Sequence, residues 1–268
     1  LLTDDADLSH EEKESSMQYP AYISWINELL NDEDVQQAAN FWQSLKLNDL
    51  VDAKLTEHKV SQSLVDGQSM QYVTQALPHS LQTRLNKTAA QLDCQPTDIL
   101  INVWAVLLGK LSGADELRID CYHDCRLDYE EFEQAIGLYS QSLPIPFYQL
   151  KKIDLISGCQ SFAHLFEEVK EYQEYVGLLK QGVTNKEQGK TNTEQLQCHA
   201  GFSWHKQVSA SDMSVFSPVG HNELLLDYLA TEQGDGKFTL FYNSRCYHKS
   251  AIERALAHFI CLLDAALN

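Results

Sequence analysis

Between Pro96 and Gly113 the chain carries a helix-length run, Thr97 to Leu111, that is apolar almost all round. Proline suits the first turn of a helix and glycine stops one, so both ends of the run are marked. A helix with no polar side has to be surrounded, and the fold must supply partners on several of its faces.

The rest of the chain supplies them. A first helix is expected over Tyr19 to Leu30, and a second with Asn31 as N-cap and three acids, Asp32, Glu33 and Asp34, in its first turn, where the helix dipole favours negative charge. Val35, Ala38, Trp42 and Leu45 then share a face. Met70 to Leu77 reads as a strand, and after Pro78 a helix carries Leu81, Leu85, Ala89 and Leu92 at helical spacing. Leu117, Ile119 and Cys121 alternate with polar residues as in a strand. Leu143 to Tyr148 is a further extended segment, and its two prolines argue for an edge or irregular position. Phe162, Leu165, Phe166, Val169 and Val176 mark a long amphipathic helix, and the polar stretch Gly182 to Gln197 reads as a flexible surface loop. Strands are expected over Cys198 to His205, Asn222 to Ala230 and Phe238 to Asn243, with Gly234-Asp235-Gly236 as a hairpin turn. Ser250 and Glu253 have capping-box spacing before Ile252, Leu256, Phe259, Leu263 and Leu267, the stripe of a terminal helix. Helices and strands are mixed, so the class is α/β with a mixed sheet flanked by helices.

Residues 1–18 hold six acids and one base with little apolar periodicity, and read as an acidic leader or linker ahead of one lobe over 19–268. A formal charge of −18 disfavours nucleic acid and anionic membrane as partners. The longest apolar run, Ile99 to Leu108, falls short of the roughly 20 residues that span a bilayer. The chain starts at Leu1 and not at Met, which suggests an excised piece, and it shows no signal-peptide pattern to support a secretory route. Seven cysteines without a CxxC pair favour reduced thiols and a cytoplasmic location.

Few constellations point to chemistry. Cys121, His123 and Cys125 alternate and offer soft ligands for zinc, but the sequence announces no fourth ligand, so no metal is assigned and the cysteines read as small core residues. Neighbours two apart on a strand sit roughly 7 Å apart, too far for a direct Cys/His nucleophilic pair. No GxGxxG, Walker loop, GxSxG or HExxH occurs. The aromatic pairs Phe41 with Trp42 and Tyr22 with Trp25 fit core packing better than a ligand platform.

Three segments taken together carry a family resemblance. Tyr19-Pro20-Ala21-Tyr22-Ile23-Ser24-Trp25 is similar to a YxDYxxW segment. Ile136-Gly137-Leu138-Tyr139-Ser140-Gln141-Ser142-Leu143-Pro144 is similar to IGxFVNTLPLR and follows Asp124-Cys125-Arg126, where a "GR" ends a strand. Ile252 to Phe259 is similar to a closing helix. In this order they resemble the condensation domains of nonribosomal peptide synthetases. The resemblance implies a chloramphenicol-acetyltransferase-like lobe and covers 19–268. The family's catalytic HHxxxDG motif belongs upstream of YxDYxxW. This chain has no adjacent histidine pair, and Ser61 to Gly67 matches only the closing Asp-Gly. Gln141-Ser142 replaces the family's Asn-Thr, Pro146 its Arg, and no HQD-type segment is recognisable around Gly177 to Gly182.

The resemblance therefore implies the acceptor-side, C-terminal lobe of a condensation domain. It would help to join carrier-bound acyl and aminoacyl thioesters into an amide or ester, with no catalytic residue of its own. Ser140, Gln141, Ser142, Arg126, Tyr22 and Trp25 are the expected channel-wall residues. No cofactor is bound directly, since the phosphopantetheine arm arrives on carrier proteins. The partners implied are those carriers, the N-terminal lobe and neighbouring synthetase domains. A non-catalytic docking or recruitment module of the same fold, and a coenzyme-A-dependent acyltransferase, are the alternatives.

Overall fold

The computed structural model describes residues 18–53, 70–132, 135–177, 198–206, 222–231 and 236–268. The leader, the Asp66-Gly67 segment, the stretch 182–197 and the first two residues of the Gly-Asp-Gly turn lie outside them. Seven strands form one mixed sheet: β1 Val51–Asp52, β2 Met70–Leu77, β3 Leu117–Asp124, β4 Ser140–Phe147, β5 Ala200–Lys206, β6 Leu224–Ala230 and β7 Gly236–Asn243. β4 runs antiparallel along all of β3, from Leu117 opposite Phe147 to Asp124 opposite Ser140. The short β1 and β5 therefore share the other edge of β3, both parallel to it. β6 follows parallel to β5, then β7 and β2 each antiparallel to its neighbour. Within this sheet β4 and β2 are the edges, which accommodates Pro144 and Pro146 without breaking an interior ladder.

The buried helix is α4, Pro96–Ser112. Pro96 opens it, Gln95 and Asp98 form a reciprocal capping box, and Gly113 at φ 76° ends it. Eleven of its residues are buried, consistent with its lack of a polar face. Around it lie α3 (His79–Leu92), α5 (Leu155–Glu171) and α6 (Lys249–Ala266), all packed on one face of the sheet. Trp104 meets Phe259 with ring centroids 6.1 Å apart, and Phe259 meets Phe238 at 5.1 Å, joining α4, α6 and β7. The Trp104 indole N–H donates to the Gly201 carbonyl at 3.2 Å, so this buried ring leaves no donor unpaired. On that face the strands contribute Ile119, Cys121, Leu143, Ile145, Phe202, Leu226 and Leu240, all fully buried.

Several local expectations are corrected. α1 is Tyr19–Leu29, but Asn31 does not cap the next helix: its side chain donates to the Asn27 carbonyl at 2.7 Å, closing α1, and α2 runs Val35–Ser44. Ser250 and Glu253 make no capping box, because His248, in extended backbone, already stands at the N-cap and Ser250 lies inside α6. β4 begins at Ser140, not Leu143. Val176 lies beyond the end of α5. Cys125 is not on the strand of Cys121 and His123. The Asp124 carboxylate accepts the Arg126 backbone N–H at 3.1 Å and turns the chain into a 3₁₀ segment, Cys125–Asp128.

Candidate functional site

Tyr19, Tyr22 and Trp25 are three apart on α1 and so share a face. That face packs against the loop between β3 and β4 as a small aromatic cluster separate from the main core. Tyr22 lies 4.9 Å from Tyr139 and 5.3 Å from Phe132 between centroids, Tyr19 lies 5.3 Å from Tyr139, and Trp25 5.2 Å from Tyr129. Gly137 is required here. A Cβ at that position would sit 2.6 Å from the Tyr19 ring.

Polar groups tie the cluster to the sheet. The Gln141 side-chain amide donates to the Tyr22 hydroxyl at 2.8 Å. The Arg126 guanidinium pairs with Asp124 through Nε at 2.9 Å, donates to the Ala135 carbonyl at 3.1 Å, and stands 5.7 Å from the Tyr139 ring centroid. Burial pushes Asp124 up, but hydrogen bonds from Arg126 outweigh it and hold the carboxyl below its ordinary range. Burial pushes the Cys125 thiol up to about 12, and it also raises Tyr22 above the usual phenol range. Neither is a ready nucleophile. The cluster clamps the loop.

Alternation along β4 separates the three central residues. Gln141 is opposite His123 and shares the helix-packed face, whereas Ser140 and Ser142 point to the other face, opposite Asp124 and Tyr122. That second face carries a polar row across the sheet. Ser142 is opposite Tyr122, Ser203 opposite Asp227, Asp227 opposite Thr239, and Thr239 opposite Thr74. Ser203 donates to Asp227 at 2.6 Å, and His205 Nε2 lies 3.1 Å from the same oxygen. The Tyr122 hydroxyl donates to Asn222 at 2.5 Å, and Asn222 donates to Asp120 at 3.2 Å and to the Cys198 carbonyl at 2.7 Å. These residues were missed by motif reading. Their signal was the bare alternation Ser203-Trp204-His205 and Leu226-Asp227-Tyr228, polar toward one face only.

Among the described residues, no group of three or more His, Cys, Asp or Glu side chains gathers for a metal ion, and no helix is long and apolar enough to cross a membrane. His123 does not face a thiol pair; its Nε2 lies 2.5 Å from the Asp128 carboxylate.

A mixed sheet flanked by helices, as here, is the α/β architecture of the chloramphenicol-acetyltransferase-like fold. Residues 5–268 match the sequence profile of the Condensation domain, and the chain belongs to that family. It is 22% identical over 264 residues to tyrocidine synthase 3 of Brevibacillus parabrevis, covering 92% of this chain and 4% of that protein. Among solved structures it is similar to the SgcC5 protein from Streptomyces globisporus, with a TM-score of 0.75 at 15% identity over 94% of this chain and 59% of that one. The condensation domain of the monacolin K polyketide synthase MokA gives a TM-score of 0.72 at 15% identity, over 94% and 61%. The chain thus spans about three fifths of those two structures.

Proposed function

We propose that this chain is the acceptor-side lobe of a condensation domain in a nonribosomal peptide synthetase, forming one wall of a channel whose other wall is an HHxxxDG-bearing lobe. In the reaction an amine, held as an aminoacyl thioester on one carrier protein, attacks the carbonyl of an acyl thioester on another. The C–N bond forms, the C–S bond breaks, and the amine proton leaves as the thiol is released. A base within roughly 2.6–3.2 Å of the nucleophile is needed, and it belongs to the other wall. The same geometry suits ester formation from a hydroxyl nucleophile.

The observation that carries this reading is the meeting of the two most family-like segments through Gln141 and Tyr22. Gln141, Tyr22, Trp25 and Arg126 then act by holding the β3–β4 loop, and Ser140 and Ser142 are the residues that look into the channel. Leu127, Ile136 and Leu138, exposed at 77, 86 and 55% beside that loop, support a partner surface there, since large exposed apolar side chains grouped at one place mark interaction sites. The phosphopantetheine arm comes with the carrier, and no separate cofactor is called for.

Titrating a phosphopantetheinylated carrier protein and free coenzyme A against the polypeptide that joins this lobe to an HHxxxDG lobe tests the reading. Saturable binding of the carrier with coenzyme A much weaker is the expected result. Coenzyme A binding as tightly as the carrier would make the chain part of a free-acyl-donor transferase, and carrier binding without any turnover would make it a docking module.

A further inference from the structure

A cleft of about 810 Å³ opens at the carboxyl ends of β3 and β5, within the range usual for small-molecule sites, roughly 300–1,000 Å³. Its position follows from the topology. The pairing of β3 with β5 extends only to Cys121 opposite Phe202. Beyond it His123 and Trp204 flank the Phe166 ring, each at 5.7 Å between centroids. From β3 the chain turns to β4 on one side, and from β5 to β6 on the other. Where connections part in this way, open α/β sheets form ligand crevices.

The lining is specific. Phe162 and Phe166 stack at 5.3 Å, and with Trp204 they make an aromatic wall. His123 lines the cleft while only 6% exposed. Asp128 holds its Nε2 at 2.5 Å and is itself held by the Gln173 amide at 2.9 Å. Nδ1 is the ring nitrogen left over, and it has no hydrogen-bond partner among the described residues. Of the charged side chains around the cleft, Lys170 is neutralised by Glu167 at 2.8 Å. Asp128 is likewise taken up by His123, and Asp93 and Asp98 then outnumber Lys206, so an anion is disfavoured.

We propose that this cleft binds a small aromatic primary amine, its ring against Phe162, Phe166 and Trp204 and its N–H groups directed to His123 Nδ1 and the Asp98 carboxylate. The cleft is on the helix-packed side of the sheet, away from Ser140 and Ser142, so the inference does not rest on the condensation reading and can fail without it.

Calorimetric titration of the chain with phenethylamine, and with phenylpropanoate as the same ring bearing an anion, tests it. Saturable amine binding is expected, with the carboxylate about tenfold weaker or worse, as loss of one charge-assisted bond implies. His123→Phe keeps the ring against Phe166 but removes the acceptor, and should weaken the amine about tenfold. Ala163→Trp, a large side chain at a lining position on α5, should abolish binding and remains decisive if His123→Phe does not fold. No saturable binding to the native chain, equal affinity for the carboxylate, or unchanged affinity in Ala163→Trp would overturn the proposal.

Discussion

Gln141 on β4 donates a hydrogen bond to the hydroxyl of Tyr22 on α1, 2.8 Å away and 119 residues earlier in the chain. One neutral bond thus joins the helix that opens the lobe to its edge strand. Losing it costs about 1 kcal/mol, which in a domain of this size lowers Tm by about 2–4 °C. Gln141→Ala and Tyr22→Phe should each show that loss in thermal unfolding, and the double variant should lose little more than either single one. Additive losses would mean that the two side chains do not depend on each other.

Gly137→Ala adds a methyl group where the Tyr19 ring already sits at 2.6 Å. Overpacking of this kind costs about 1–3 kcal/mol. In a Tyr19→Ala background the same substitution should cost almost nothing, because the obstructing ring is gone. Denaturant unfolding of the four proteins reads this coupling directly.

Of this architecture, the layer structure was legible before any coordinates: an all-apolar helix between a proline and a glycine requires surroundings, and β2 and the stripe of α6 follow from simple periodicity. The ends were less legible. Asn31 and Ser250 both have the chemistry of N-caps, yet helix start points depend on where the preceding backbone leaves the core, and here Asp34 and His248 stand at those positions. The site divides in the same way. Segment resemblance located the β3–β4 loop and Ser140 to Ser142, but which of them faces outward depended on the strand's start and register, and a shift of one residue would have exchanged the faces. The polar row through Asp227 showed in the sequence only as local alternation around Ser203 and Asp227, and its joining across strands, like the closure of β3 at Asp124, is a long-range or turn-level feature.

Ser140 should matter to turnover and little to folding. It is half-buried on the face away from the helices. In the polypeptide that joins both lobes, Ser140→Ala should slow condensation severalfold with Tm essentially unchanged. An unaltered rate, with Gln141→Ala also lowering Tm, would assign the whole segment to support.

Acid sensitivity should trace in part to Glu223. A hydrogen bond from His199 lowers its carboxyl, partial burial opposes this, Tyr247 adds a further bond, and the result is a value of about 2. Its ordinary value is near 4.5. Because the folded-state value is depressed, the stabilisation is present in full above the ordinary value and is lost as pH falls through that range toward 2. Glu223→Gln should therefore lower Tm at pH 6 and have a shrinking effect as the pH is taken down to about 3. A Tm difference independent of pH would show that the pair contributes nothing through ionisation.

The most direct measurement is amide formation between two loaded carrier proteins, followed by intact-protein mass spectrometry. With this chain alone the account predicts no product above uncatalysed aminolysis, and with the chain joined to an HHxxxDG-bearing lobe it predicts turnover that disappears when the catalytic histidine of that motif is replaced. Turnover by the chain alone would contradict the assignment of the base to the other wall.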